Sequence, residues 1–219
     1  MPIIILTKYT EHIKIKSMLD KLVVDIETKN SFAEVGGQHN INRLAISIIG
    51  VYSYKRDQYF AFDEKEFLDF EKLLEESGAM IGFALKRFDV PVLKNHFPHC
   101  DFSPLRILDI LDEVEIQRGH RIGLDDMAHA NIGTGKTGHG LEAIDMYREG
   151  RIDELKSYCL NDVKITKDLY EHGIKNGKLI VPSKYSTPAF ININWHDLDD
   201  YLELAEKTKN STPKQKSLF

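Results

Sequence analysis

Asp25 and Glu27 stand two residues apart at the end of the apolar run Leu22-Val23-Val24-Asp25-Ile26. In a strand, side chains at i and i+2 share a face, so the two carboxylates converge. Converging carboxylates are costly unless they are solvated, protonated or bound to a cation. Taken alone, the pair fits a solvated strand end equally well. Tyr158 and Asp162 are four apart among the apolar Leu155, Cys159 and Val163, so on a helix they share a face turned towards the core or its rim. Taken alone, they read as a packed tyrosine beside an aspartate on the polar flank. Asp89, in Arg87-Phe88-Asp89-Val90-Pro91, sits where a helix should begin, a position that suits an N-cap and is compatible with metal binding. Together these residues offer four carboxylates and neither His nor Cys, a donor set for Mg2+ or Mn2+ and not for Zn2+. Two such ions roughly 4 Å apart stabilise the attacking and leaving oxygens of a phosphodiester in an in-line displacement.

These acids need elements to carry them. Leu22 to Ile26 reads as a buried strand, Leu44 to Tyr54 as a second and Tyr59 to Phe62 as a third, joined by a Gly36-Gly37 loop and a short turn. Such close spacing predicts an antiparallel meander. Phe67, Phe70, Leu73 and Leu74 then repeat at helical spacing. Ala79 to Phe83 and Leu105 to Ile110 read as further strands, with a helix from about Asp89 between them. Helices follow over Leu124 to Asn131 and Leu141 to Glu149. The clearest runs from Ile152 to His172, with Gly173 as its stop. The order predicts an α/β fold, a five-stranded mixed sheet flanked by helices. Ile3 to Leu6 reads as an edge strand or packed arm.

The chain has 219 residues and reads as one domain over 1–206, with a polar tail over 207–219 expected to be disordered. Its formal charge of −5 argues against binding nucleic acid through a broad basic surface. It does not argue against an enzyme that grips only a strand end. Two distant cysteines, Cys100 and Cys159, make no disulfide framework, and a reducing cytoplasm is the expected location. No run is long enough for a membrane span, so no membrane partner is expected.

Three segments resemble the motifs of one family. Val23-Val24-Asp25-Ile26-Glu27-Thr28 is similar to the first exonuclease motif of DEDD nucleases. Ile81-Gly82-Phe83-Ala84-Leu85-Lys86-Arg87-Phe88-Asp89 is similar to the second. Tyr158-Cys159-Leu160-Asn161-Asp162-Val163 resembles the third in its tyrosine-containing, DEDDy form. The resemblance spans roughly Leu22 to Tyr170. It is nearest in character to stand-alone bacterial ribonuclease H-like exonucleases and to the proofreading domain of family B polymerases. It implies a ribonuclease H-like fold and a two-metal 3′-5′ exonuclease that releases nucleoside 5′-monophosphates from the 3′ end of a single strand. It further implies that Asp25 bridges two Mg2+ or Mn2+ ions, that Glu27 and Asp162 complete one site, and that Asp89 serves the other. Tyr158 would orient the attacking water. Many relatives carry Asn where this chain has Ala84, which puts a substrate or supporting contact in doubt but removes no metal ligand. The alternative is a non-catalytic nucleic-acid-binding module on the same fold.

Thr28, Phe32, Phe88 and Lys136 are candidate substrate contacts, Phe32 by stacking on a base near the strand end. Packing of Phe32 on the sheet explains it equally well. The stretch Ala130 to Thr137 fits a relaxed phosphate-binding-loop pattern, but a helical segment precedes it where such a loop needs a strand. The histidines His39, His96, His99, His120, His129 and His139 read as surface or packing residues. At the C-terminus, Gln215, Leu218 and Phe219 resemble the short peptide with which bacterial replication and repair proteins dock on the sliding clamp, although Lys216 falls where that peptide is usually aliphatic. Such a partner would favour DNA over RNA. The alternative is that the tail folds back or has no role.

Overall fold

The strand predicted around Asp25 is β1 (Asp20–Thr28), and it lies at the centre of the sheet in a computed structural model that describes residues 19–135, 140–183 and 187–211. Ile3 to Leu6, Lys136, Gln215, Leu218 and Phe219 lie outside the described residues. Around β1 are β2 (Ile46–Ser53), β3 (Gln58–Phe62), β4 (Ser77–Gly82) and β5 (Arg106–Asp109), in the order β3-β2-β1-β4-β5. β1, β2 and β3 pair antiparallel, whereas β4 runs parallel to β1 and β5 parallel to β4. The predicted mixed sheet with its three-strand meander is therefore observed.

The pleat of β1 divides the core. Leu22, Val24 and Ile26 pack with Met80, Phe70 and Leu93 on one face, against α1 (Phe67–Glu75) and α2 (Asp89–His96). Val23 on the opposite face packs with Ile81, Val163 and Leu169. By the same alternation Asp25 and Glu27 belong to this second face. The helices there include α4 (Leu124–Ile132) and α6 (Ile152–Asn176). Each such apolar side chain contributes about 1.5–3 kcal/mol when fully buried, enough to hold polar groups between the layers.

Some expectations are corrected. α6 continues past Gly173 and ends at Gly177, whose φ of 66° closes the cap with its N–H on the Gly173 carbonyl at 2.9 Å. Gly173 has a different reason to be glycine: a Cβ there would lie 2.7 Å from the Trp195 ring. The sequence reading had no place for α3 (Ile110–Arg118), for the β6 (Lys178–Val181) and β7 (Ala189–Asn192) pair, or for α7 (Asp197–Ser211). α7 reaches Ser211, into the segment expected to be a disordered tail, because Leu198 and Leu202 bury one face of it in the core. α5 (Gly140–Arg148) matches its predicted segment. Gly133, at φ 70°, caps the C-terminus of α4, so the glycine run follows a helix and not a strand.

Candidate active site

The acids meet where β1 ends. Donor oxygens of Asp25, Glu27 and Asp162 all lie within 4.8 Å of one another. β1 supplies the first two and α6 the third. The approach of α6 depends on Gly50, the residue paired with Asp25 across the β1–β2 ladder. A Cβ on Gly50 would stand 2.6 Å from Cys159 Sγ and 2.9 Å from Val163 Cγ2. With hydrogen there instead, α6 lies against the sheet and places Tyr158 and Asp162 beside the β1 acids. The Cys159 thiol is fully buried, 3.7 Å from Asp25 Oδ2 and 3.5 Å from the Asp25 carbonyl oxygen.

Asp89 enters from the other side of the strand end. Phe88 occupies the cap position of α2 without a side-chain cap bond, and the Asp89 carboxylate reaches across to accept from the Ile26 N–H at 3.1 Å. It is thereby fixed to β1 between the two strand acids. Asp89 is 3% exposed, and burial, followed by the charge of Asp25, holds its pKa well above the ordinary carboxylate value. Tyr158 is pushed up by burial and by the charges of Glu27, Asp162 and Asp25. Its buried hydroxyl has no hydrogen-bond partner among the described residues. Clustered oxygens, a carboxyl driven towards its neutral form and an unused hydroxyl beside them fit a cation and its water shell.

These residues floor a groove of about 1000 Å³. Asp25, Glu27, Asp89, Tyr158 and Asp162 all line it, as do Thr28, Phe32 and Phe88 from the predicted substrate set. Phe32 and Phe88 meet edge to face with centroids 5.7 Å apart. Thr28 Oγ1 donates to the Asn30 carbonyl at 2.9 Å, so it also shapes the wall. Sequence reasoning missed Gln38, Ile41, Arg87, Arg121 and Ile144 in the lining. Arg87 stands out in the sequence only as a neighbour of Asp89, and Arg121 lies between α3 and α4, of which the sequence reading predicts only α4.

Asp109 was missed too, although an Asp before Ile110, Leu111 and Val114 is an N-cap signal. Its carboxylate accepts from Leu111 N at 3.0 Å and Asp112 N at 3.4 Å, capping α3. It also accepts from Ala84 N and Lys86 N, each at 2.9 Å, and so fastens the loop that leads to Asp89. In that loop Ala84 has φ 66°, a left-handed conformation that costs an alanine about 1 kcal/mol or more and that asparagine adopts more readily. Ala84→Asn is therefore expected to raise the melting temperature by about 2–4 °C. Thermal denaturation of the two proteins checks this, and an unchanged midpoint would remove backbone strain as the distinguishing property of this position.

The family model of the RNase H superfamily matches residues 22–174. The chain belongs to the RNase H superfamily. The sheet order and the acids at the end of β1 lie within the matched region of this RNase H-like chain. The family B DNA polymerase of the hyperthermophilic archaeon Pyrobaculum calidifontis is similar in structure, with a TM-score of 0.55 and 18% sequence identity. The likeness covers 71% of this chain but only 24% of the polymerase, and at that identity it speaks to the fold. No curated protein matches the sequence. No helix among the described residues is long and apolar enough to cross a membrane.

Proposed function

We propose that the protein is a 3′-5′ exonuclease of the DEDDy type that removes nucleoside 5′-monophosphates from single-stranded nucleic acid, DNA in preference to RNA. The observation that carries this reading is the convergence of Asp25, Glu27 and Asp162 within 4.8 Å in a groove large enough for the end of a strand. Those three residues and Asp89 would hold two Mg2+ or Mn2+ ions. Ions so held supply Lewis-acid charge at the scissile phosphate and lower the pKa of bound water.

The chain's own residues do the rest. Asp25, on the central strand, has a carboxylate oxygen within 4.8 Å of one on Asp162, and its charge bears on Asp89. Asp89 is anchored by the Ile26 N–H, which sets its position relative to β1. The Tyr158 hydroxyl is free to donate or accept, and its place beside Glu27 and Asp162 suits it to orient a water for in-line attack. Phe32 and Phe88 offer apolar edges to the terminal bases, worth about 1–3 kcal/mol per stacked base. Arg87 and Arg121 bring positive charge to a groove whose floor is acidic, where phosphates further along the strand would pass. Arg87 is already held at 3.0 Å by Glu115, which keeps its guanidinium oriented.

Two experiments test the reading. Matched DNA and RNA single strands, labelled at the 3′ or the 5′ end, are incubated with Mg2+ or Mn2+ and with EDTA. Metal-dependent shortening from the 3′ end is expected, with mononucleotides as product. Failure of the well-folded protein to cleave either polymer with either metal would leave the binding-module alternative. The second experiment is Tyr158→Phe. It should slow turnover by about 10²-fold through loss of water orientation. It should not lower the stability of the metal-free protein, because the deleted hydroxyl has no hydrogen-bond partner among the described residues. A Tyr158→Phe enzyme of full activity would exclude the hydroxyl from the reaction.

A further inference from the structure

A second set of metal-ligand donors lies away from the groove. Glu71 projects from α1, and His99 and Cys100 follow α2 in the chain. Donor atoms of all three lie within 4.8 Å of one another, and His99 Nε2 stands 3.1 Å from Glu71 Oε2. None of the three lines the groove. The backbone explains the meeting: the Cys100 N–H donates to the Phe97 carbonyl at 3.0 Å, a turn that brings His99 and Cys100 back towards α1. Cys100 packs its half-buried side chain against the apolar core. Glu75 follows Glu71 by one helical turn and shares its face, and its charge reaches Cys100.

We propose that Glu71, His99 and Cys100 form a separate metal site that takes Zn2+ or a similar borderline divalent ion, with Glu75 or water in the fourth position. The donor chemistry distinguishes it from the all-oxygen groove, because thiolate and imidazole select zinc-like ions and disfavour Mg2+. The geometry is close to what such an ion needs. A tetrahedral zinc with bonds of about 2.0–2.3 Å holds its ligands about 3.3–3.7 Å apart. The His99–Glu71 pair is already near that spacing, and the His99 side chain, 64% exposed, has room to turn the rest of the way. An ion there would cross-link α1 to the turn that ends α2, the helix whose first residue is Asp89. This inference does not depend on the exonuclease reading.

The test is spectroscopic. Tag-free, reduced, chelator-treated protein is titrated with Co2+ in excess Mg2+, which occupies the oxygen-ligand sites. One equivalent should produce a thiolate-to-cobalt charge-transfer band that Zn2+ abolishes. The band should be absent in Cys100→Ser, should require at least roughly 10–100-fold more Co2+ in His99→Ala, the cost of losing even an outer-shell partner of a ligand, and should be retained in Asp25→Asn. Zn2+ should raise the melting temperature of the wild-type protein and not that of Cys100→Ser. His99 is exposed, so His99→Ala is expected to keep the fold, and metal-free melting curves check the same for Cys100→Ser. The proposal is overturned if folded wild-type protein shows no charge-transfer band. It is equally overturned if the band survives Cys100→Ser, which would point to Cys159 beside Asp25.

Discussion

Asp25→Asn should lower the rate of metal-dependent strand shortening by on the order of 10³-fold or more, while leaving a folded and, without metal, slightly more stable protein. The residue belongs to both sides of the acid cluster: its oxygen lies within 4.8 Å of donors on Glu27 and Asp162, and its charge bears on Asp89. Losing about 4 kcal/mol of metal-dependent stabilisation of the reacting phosphate corresponds to that factor. The gain in metal-free stability comes from removing one of several like charges gathered in a partly buried place. Single-turnover cleavage and thermal melting in EDTA read the two effects on the same preparations. A variant that retains wild-type rates would sink the two-ion assignment.

The same cluster sets a pH dependence for the metal-free wild type. Asp89 has a native pKa raised above its ordinary 3.8, first by burial and then by Asp25. Between the ordinary value and the raised one, the native state holds more protons than the unfolded chain. Stability therefore falls as pH rises through that window. Urea unfolding in EDTA across the acid range should show this contribution as the difference between wild type and Asp89→Asn, and Asp25→Asn should reduce it. A wild-type stability that fell no more steeply with pH than that of Asp89→Asn would contradict the assigned environment of Asp89.

Gly50→Ala should be the most damaging change outside the acids. The new methyl group would stand 2.6 Å from Cys159 Sγ and 2.9 Å from Val163 Cγ2, so α6 or β2 must move. Overpacking of this kind costs about 1–3 kcal/mol. Because α6 carries Tyr158 and Asp162, a shift of about 1 Å also displaces two residues of the proposed site and should cost about 10²-fold in rate. The double variant Gly50→Ala, Cys159→Ala removes the nearer obstacle and should recover part of the stability. Unfolding free energies and cleavage rates of the three variants form the cycle. Equal losses in the single and double variants would show that the clash lies elsewhere.

The legible parts of the fold were those in which hydrophobic period and residue chemistry agreed. Val23-Val24-Asp25 and the stripe Leu155, Cys159, Val163 each carry a pattern that survives in the structure as β1 and α6. Phe32 and Phe88 were named as substrate contacts and both line the groove. Other features depend on partners distant in sequence. Gly50 looks like an ordinary glycine within a strand until Cys159 is seen above it. The departure at Ala84 was visible as a missing amide, whereas its meaning as a left-handed residue required the backbone. Gly173 resembled a helix stop because nothing local announces that Trp195 needs its space. The β6–β7 pair was missed because its four-residue strands are too short to establish a period.

The position of the acids along the chain has a consequence for biosynthesis. β1 is among the first described segments to leave a ribosome, yet its partner acid on α6 lies at residue 162, and the parallel β1–β4 pairing also waits for an intervening helix. Pairings of such long range close slowly. A nascent chain therefore displays Asp25 and Glu27 well before Asp162 can join them. Until α6 docks over Gly50, the emerging polypeptide has only part of its acid cluster. On the exonuclease reading, the architecture would postpone hydrolytic competence until most of the domain has been translated.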